Sequence, residues 1–275
     1  MTTSAYRLID PLSPYIALKR HFALVVQMAK RDVAGRYRGS FAGLFWSFFN
    51  PLLMLVIYTF VFGVIFKARW NREVTGHLAF AAILFAGLNI NTLFVECANR
   101  ASTVIVENTN FVKRVVFPLE TLSWSMLGAA LFHLLISTIA LLVIELIAKG
   151  HIPWTVVLFP IVVVVFLPFV AGTIWLLASL GVFLRDLKQA VMIVTTALMF
   201  LAPIMYPITM IPPRFRGWMY LNPLTEVVSA SQNVLVFGEP PVWTDLGLYA
   251  LGSCLFAWAT FAWFEKTRKG FADVV

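Results

Sequence analysis

Glu96, His133 and Glu145 are the ionisable residues set in the most apolar surroundings of this chain. A carboxylate beside an imidazole can shuttle protons, provided that the two share a depth and touch. Here the three fall on separate apolar segments, and no local motif joins them. Asn89 and Asn91 are polar in the same setting; they either line a path or hydrogen-bond between helices. Glu96 and Arg100 stand four residues apart, the spacing of an ion pair on one helix face. Glu145 lies near the end of its segment, where its carboxylate can snorkel to a surface. The four histidines lack metal-ligand spacing, and Cys97 and Cys254 sit singly in apolar runs, so neither a metal site nor a disulfide is expected. No Gly-x-x-x-x-Gly-Lys-Ser/Thr, His-Glu-x-x-His or Gly-x-Ser-x-Gly occurs, and the glycines from Gly35 to Gly43 have no lysine after them and no strand before them. The sequence therefore predicts no catalytic group, metal or cofactor in the chain itself.

The elements that position these residues are membrane helices. Sixty per cent of the 275 residues are hydrophobic, 12% are charged, and the mean hydropathy is +0.86. Soluble domains carry about 25% charged residues, so lipid must be the solvent for much of this chain. Six spans are expected, at about 44–66, 78–98, 120–147, 154–184, 189–207 and 243–264, each near the roughly 20 residues that cross a bilayer. Residues 1–43 form a polar N-terminal segment, 44–264 the membrane domain and 265–275 a charged tail. Within the first segment, residues 14–33 read as an amphipathic helix: Tyr15, Leu18, Phe22, Val25 and Ala29 share one face, and Arg20, Gln27 and Arg31 the other. A basic amphipathic helix beside a span suggests one lying in the membrane surface, or else an ordinary helix packed on a partner protein. Residues 208–242 contain an apolar helix from Pro223 to about Phe237 that is too short to cross. Asn222 is placed as its N-cap, with Pro223 as its first residue.

The net charge of +8 follows from loop lysines and arginines, and no nucleic-acid partner is expected. With the N-terminus inside and six spans, fifteen Lys and Arg fall on inside segments and six outside. The positive-inside rule thus puts both termini in the cytoplasm. The chain also has 25 Phe, 9 Trp and 7 Tyr. Most should face lipid. A few could line a path, above all Phe45, Phe49, Tyr58 and Phe66 on the first span, and Phe200 and Tyr206 on the fifth, which Pro203 and Pro207 break. Aromatic faces stack well on the C–H faces of sugars and would suit a sliding polymer.

Residues 31–40 (Arg-Asp-Val-Ala-Gly-Arg-Tyr-Arg-Gly-Ser), Leu44-Phe45-Trp46, Asn50-Pro51, the run from Asn108 to Pro118, and Leu221-Asn222-Pro223-Leu224 together resemble the permeases of polysaccharide-exporting type-2 ABC transporters. These export O-antigen, capsule or teichoic acid. The resemblance covers nearly the whole chain in the right order. It implies an all-α membrane fold of six spans, with an N-terminal interface helix, a cytoplasmic coupling helix and short periplasmic gate helices. It implies a homodimer in the bacterial inner membrane, two copies of a separate ATPase that bind ATP and Mg, and a lipid-linked glycan as cargo. Asn108, Asn110, Phe111, Lys113 and Arg114 would then seat on the ATPase. Phe45, Phe49, Tyr58, Phe66, Asn89, Phe200 and Tyr206 would line the glycan path. Arg36 and Arg38 would meet a lipid diphosphate at the entrance, or else simply supply membrane-surface charge. Asn222, Pro223 and Glu226 would belong to the gate. Many relatives carry a basic residue late in that short helix; here the chain departs from that pattern, with Ser231, Gln232 and Asn233 in the region.

The alternative cargo is a small lipid or drug. A membrane-embedded glycan-processing enzyme would need clustered acid–base residues, and an ion-coupled flippase would need more spans and a buried charge relay.

Overall fold

The computed structural model describes residues 13–37, 45–61, 77–112 and 117–274, and all regular structure among them is helical. Helices α1 (Ser13–Arg20) and α2 (Phe22–Tyr37) make up the N-terminal amphipathic pair. Then come α3 (Phe45–Tyr58), α4 (His77–Ala101), two short turns α5 (Val104–Glu107) and α6 (Thr109–Val112), α7 (Glu120–Lys149), α8 (Phe159–Phe183) and α9 (Leu187–Leu201). The chain closes with α10 (Pro213–Met219), α11 (Pro223–Gln232), α12 (Trp243–Thr267) and α13 (Phe271–Val274). The expected path residue Phe66, the entrance residue Arg38 and the coupling residues Lys113 and Arg114 lie outside the described residues.

Among the described residues, four stretches are long and apolar enough to cross a membrane: Leu78–Ala101, Glu120–Ile147, Trp154–Phe183 and Trp243–Gly270. They coincide with four of the six expected spans. The other two expected spans fall on shorter helices. α3 has 14 residues, with Pro51 inside it, and the end of the span predicted there lies beyond the described residues. α9 has 15 and stops at Leu201 rather than running to 207. The stop is local chemistry: Ala202 precedes Pro203, which disfavours helical backbone at the residue before it, and Ala202 is extended.

α4 is the centre of the bundle. Seventy-eight per cent of its most apolar stretch is buried, against 28% for α12, which therefore forms an outer wall. α4 packs on α7, α8 and α11, and α2 lies along α7. The core they enclose is aliphatic and aromatic, with Ile83, Leu84, Ile90, Phe166, Ile174 and Trp175 fully buried. α8 and α12 approach closely because small residues face each other. A Cβ on Gly172 would lie 3.0 Å from the Ala257 Cα and 2.9 Å from the Thr260 hydroxyl. Near one end of the same seam the Ser179 and Thr267 hydroxyls hydrogen-bond at 2.7 Å. Lipid offers no hydrophobic drive between helices, so such small-residue contacts and hydroxyl bonds hold the pair.

α7 ends at Gly150, whose φ of 73° supplies the left-handed cap. Close to this end Glu145 does not reach outward as the sequence suggested. It is 1% exposed and pairs with Lys149 at 2.7 Å, and Lys149 also donates to the Val236 carbonyl. That carbonyl belongs to a π turn, Asn233–Phe237, which continues α11. Thr155 donates to the Val234 carbonyl of the same turn. The carbonyls left open by the wide turn thus find donors.

Candidate functional site

Asn222 caps α11 as its position predicted. Its side-chain oxygen accepts from the Leu224 amide at 3.0 Å, and its Nδ2 donates to the Leu198 carbonyl at 2.8 Å. One side chain thereby starts α11 and ties it to the end of α9. Pro223 takes the first helical position, where its missing N–H is no loss. At the other end, the buried Gln232 donates to the carbonyls of Ile83 and Pro203. This uncharged amide thus stitches α11 to α4 and to the break after α9. Phe200 and Tyr206 meet across that break, the Tyr206 hydroxyl donating to the Phe200 carbonyl at 2.6 Å.

Glu226, in the first turn of α11, is half-buried and faces Asp245 of α12. Burial, and then the Asp245 carboxylate, push its carboxyl above the usual range. A raised folded value means that the charged form destabilises the fold above the ordinary carboxyl range, and that the penalty fades on acidification. Glu226→Gln should therefore raise the thermal midpoint at pH 7, and the gain should shrink as pH falls towards 4. A gain that grows on acidification would contradict this environment.

Arg36 enters a cluster that no local pattern announced. Its guanidinium pairs with Glu96 of α4 and lies 3.2 Å from the His133 ring of α7. Glu96 also contacts His133 at 3.3 Å and Arg100 at 3.6 Å, and Arg100 pairs with Asp32 of α2 at 2.6 Å. Five charged or titratable side chains thus join α2, α4 and α7. The sequence suggested only the Glu96–Arg100 spacing, because the other partners are dozens of residues away. A signal was available: Asp32 and Arg36 are four apart on one helix, as are Glu96 and Arg100, so two i,i+4 pairs can dock face to face.

Above this cluster lies a cavity of about 250 Å³ between α3, α4 and α7. Trp46, Asn50 and Tyr58 line it from α3, Asn89 and Thr92 from α4, and Ser137 from α7. Of the expected path residues, the structure brings Tyr58 and Asn89 together here. Phe45 and Phe49 stack on one another at 5.8 Å and point outward. Phe200 and Tyr206 do not line this cavity. Asn89 is 5% exposed, and its Nδ2 has no hydrogen-bond partner among the described residues. The cavity thus offers aromatic faces, polar side chains of α3, α4 and α7 and, at one end, an engaged carboxylate. No group of His, Cys, Asp and Glu able to hold a metal occurs among the described residues.

The expected coupling segment begins at α5 and α6. Asn108 sits between them and donates to the Val104 carbonyl at 2.8 Å, Asn110 is exposed, and Phe111 stacks on Phe117 at 4.4 Å. The turn is seated on α8. Ile105 is buried, and the Ser102 carbonyl approaches Gly181 so closely that any Cβ there would overlap it. Arg268, beyond α12, donates to Glu120 and to the Phe117 carbonyl, closing the far side of the segment. A short polar turn held on rigid helices in this way can transmit displacement as a unit.

The chain is 29% identical over 261 residues to the O-antigen export system permease protein RfbA of Myxococcus xanthus, which covers 94% of this chain and 97% of that one. Two proteins of the same name from Klebsiella pneumoniae are 28% and 27% identical over 259 residues, each covering 92% of this chain and 95% of theirs. The sequence profile of the ABC-2 type transporters matches residues 23–236, from the start of α2 through the π turn after α11, so this chain belongs to the ABC-2 type transporter family.

Proposed function

We propose that this chain is the permease subunit of an exporter of lipid-linked polysaccharide, of the O-antigen kind, in the bacterial inner membrane. The observation that carries the reading is near full-length similarity to permeases named for O-antigen export. Two copies would form the path, and two copies of a separate ATPase, holding ATP and Mg, would drive it. The outward apolar faces of the short helices α3 and α9, including Phe45, Val56, Ile193 and Phe200, support a second copy covering them. In the dimer they would enclose the glycan together with Tyr58 and Asn89. The segment from Asn108 through Arg114 would meet the ATPase, α2 would lie at the cytoplasmic leaflet with both termini on that side, and α10 and α11 would form the outer gate. Arg36, paired with Glu96, would meet a lipid diphosphate only by exchanging that carboxylate.

Deletion of the gene, followed by gel analysis of surface and intracellular polymer, tests the reading. Surface polymer should fall at least tenfold, with lipid-linked polymer retained inside, and the wild-type gene should restore export. Tyr58→Ala should restore it only in part. Unchanged surface polymer would overturn the reading, and a change confined to drug sensitivity would favour a small-molecule cargo.

A further inference from the structure

One face of α2 is only partly covered. Phe22, Val25, Val26, Ala29 and Val33 recur at helical spacing and, with Trp124 and Gly128 of α7, line an apolar groove of about 570 Å³. Val25 is buried, but Phe22 at the groove's margin remains 61% exposed. Lys30 lies in the same stripe and, among the described residues, is the one charged residue lining the groove. Among the described residues no carboxylate pairs with it. The acid of α2, Asp32, is already held by Arg100 at 2.6 Å. Lys19, Arg20 and Arg31 add exposed positive charge on the same pair of helices.

From this geometry we infer that the groove between α2 and α7 is a binding site for an anionic phospholipid of the surrounding bilayer. One acyl chain fills the groove, and the phosphodiester meets the Lys30 ammonium. A single cation at the margin of a hydrocarbon slot matches an amphiphile with one negative group above an apolar chain. The lysine stem covers apolar surface while its head reaches the phosphate. Basic pockets beside membrane helices select anionic headgroups for this electrostatic reason. Such a lipid would complete the packing of α2 on α7, which the protein's own side chains leave unfinished. The inference is independent of the exported cargo.

Trp124 provides the readout, because it lines the groove and is only 8% exposed. The full-length protein is placed in phosphatidylcholine nanodiscs and titrated with acyl-brominated phosphatidylglycerol or acyl-brominated phosphatidylcholine. The Trp124 signal is taken as the difference between wild type and Trp124→Phe. Quenching should show about fivefold tighter apparent binding of phosphatidylglycerol, the preference expected of one lysine. Lys30→Gln should make the two lipids equal. Equal quenching by both lipids in the wild type would overturn the inference, as would a preference that survives Lys30→Gln. No quenching by either lipid would also overturn it, and would mean that protein, such as a second copy, covers the groove. Polymer export in cells plays no part in this measurement, so its failure leaves the export reading standing.

Discussion

Gly181→Ala is expected to lower the stability of the purified chain by about 3 kcal/mol, the upper end of the usual penalty for overpacking. The new methyl would land on the Ser102 carbonyl, and the atoms beside it are the Ser102 carbonyl carbon and Cα, so no flexible side chain can yield. Either α8 or the turn leading into α5 must move. Movement of that turn displaces Ile105 from its buried seat and carries Asn108 and Phe111 with it. If the segment contacts an ATPase as proposed, nucleotide hydrolysis by the assembled complex should also lose its coupling to transport. Gly252→Ala is the control. It lies in α12 with nothing within 4 Å of a built Cβ. Replacing a mid-helix glycine in open space should be neutral or stabilising by up to about 1 kcal/mol. Thermal unfolding in one detergent compares the two. Equal shifts would mean that the Ser102–Gly181 approach is looser than described.

Glu96→Ala should have the second largest effect, about 3 kcal/mol. Its side chain is 14% exposed and is the common partner of Arg36, His133 and Arg100. Removing one member of a buried ion pair typically costs about 3–5 kcal/mol because its partner's charge is left uncompensated, as that of Arg36 would be here, while Arg100 keeps Asp32. The partial exposure of Arg36, at 31%, sets the estimate at the lower end. Arg36→Ala should cost less, since the remaining carboxylate keeps two partners. The double variant should be more stable than the sum of the two losses implies, by at least 1 kcal/mol, as expected for residues in contact. Strict additivity in unfolding free energies would rule out the Arg36–Glu96 pair between α2 and α4.

The long spans were legible because each is a continuous apolar run bounded by charge or proline, and because a run of that length without alternation satisfies its backbone in lipid as a helix. The Asn222 cap was equally legible, since an Asn-Pro start to a helix has a local mechanism. The end of α9 was misplaced by several residues. The apolar run continues through Pro203, and hydropathy does not register the backbone restriction that Pro203 imposes on Ala202. The amphipathic face of α2 was read correctly at Val25, whereas Phe22 on that face stays exposed because the groove beside it is not filled by protein. The cluster around Glu96 was only half visible. Its helical spacing could be read, but its partners depend on how α2 and α7 dock, and no local rule specifies that. The cavity at Tyr58 and Asn89 shares this origin: three helices must pack before it exists. Lys113, Arg114 and Arg38 were assigned by resemblance and Phe66 from the aromatic crowding of the first span, and the described structure does not reach any of them.

The charge cluster also bears on how the chain is made. Asp32 and Arg36 precede Glu96 and Arg100 in the chain, and His133 follows. A nascent chain emerges from its N-terminus, so the ion-pair partners on α2 are synthesised before the acidic and basic residues near the end of α4. A polar helix end that would resist partitioning into lipid alone can therefore be neutralised as soon as α4 appears. Only the imidazole waits for α7. If the pairs form on this schedule, variants that lose Arg36 should fail first at membrane insertion, before any defect in transport can be seen.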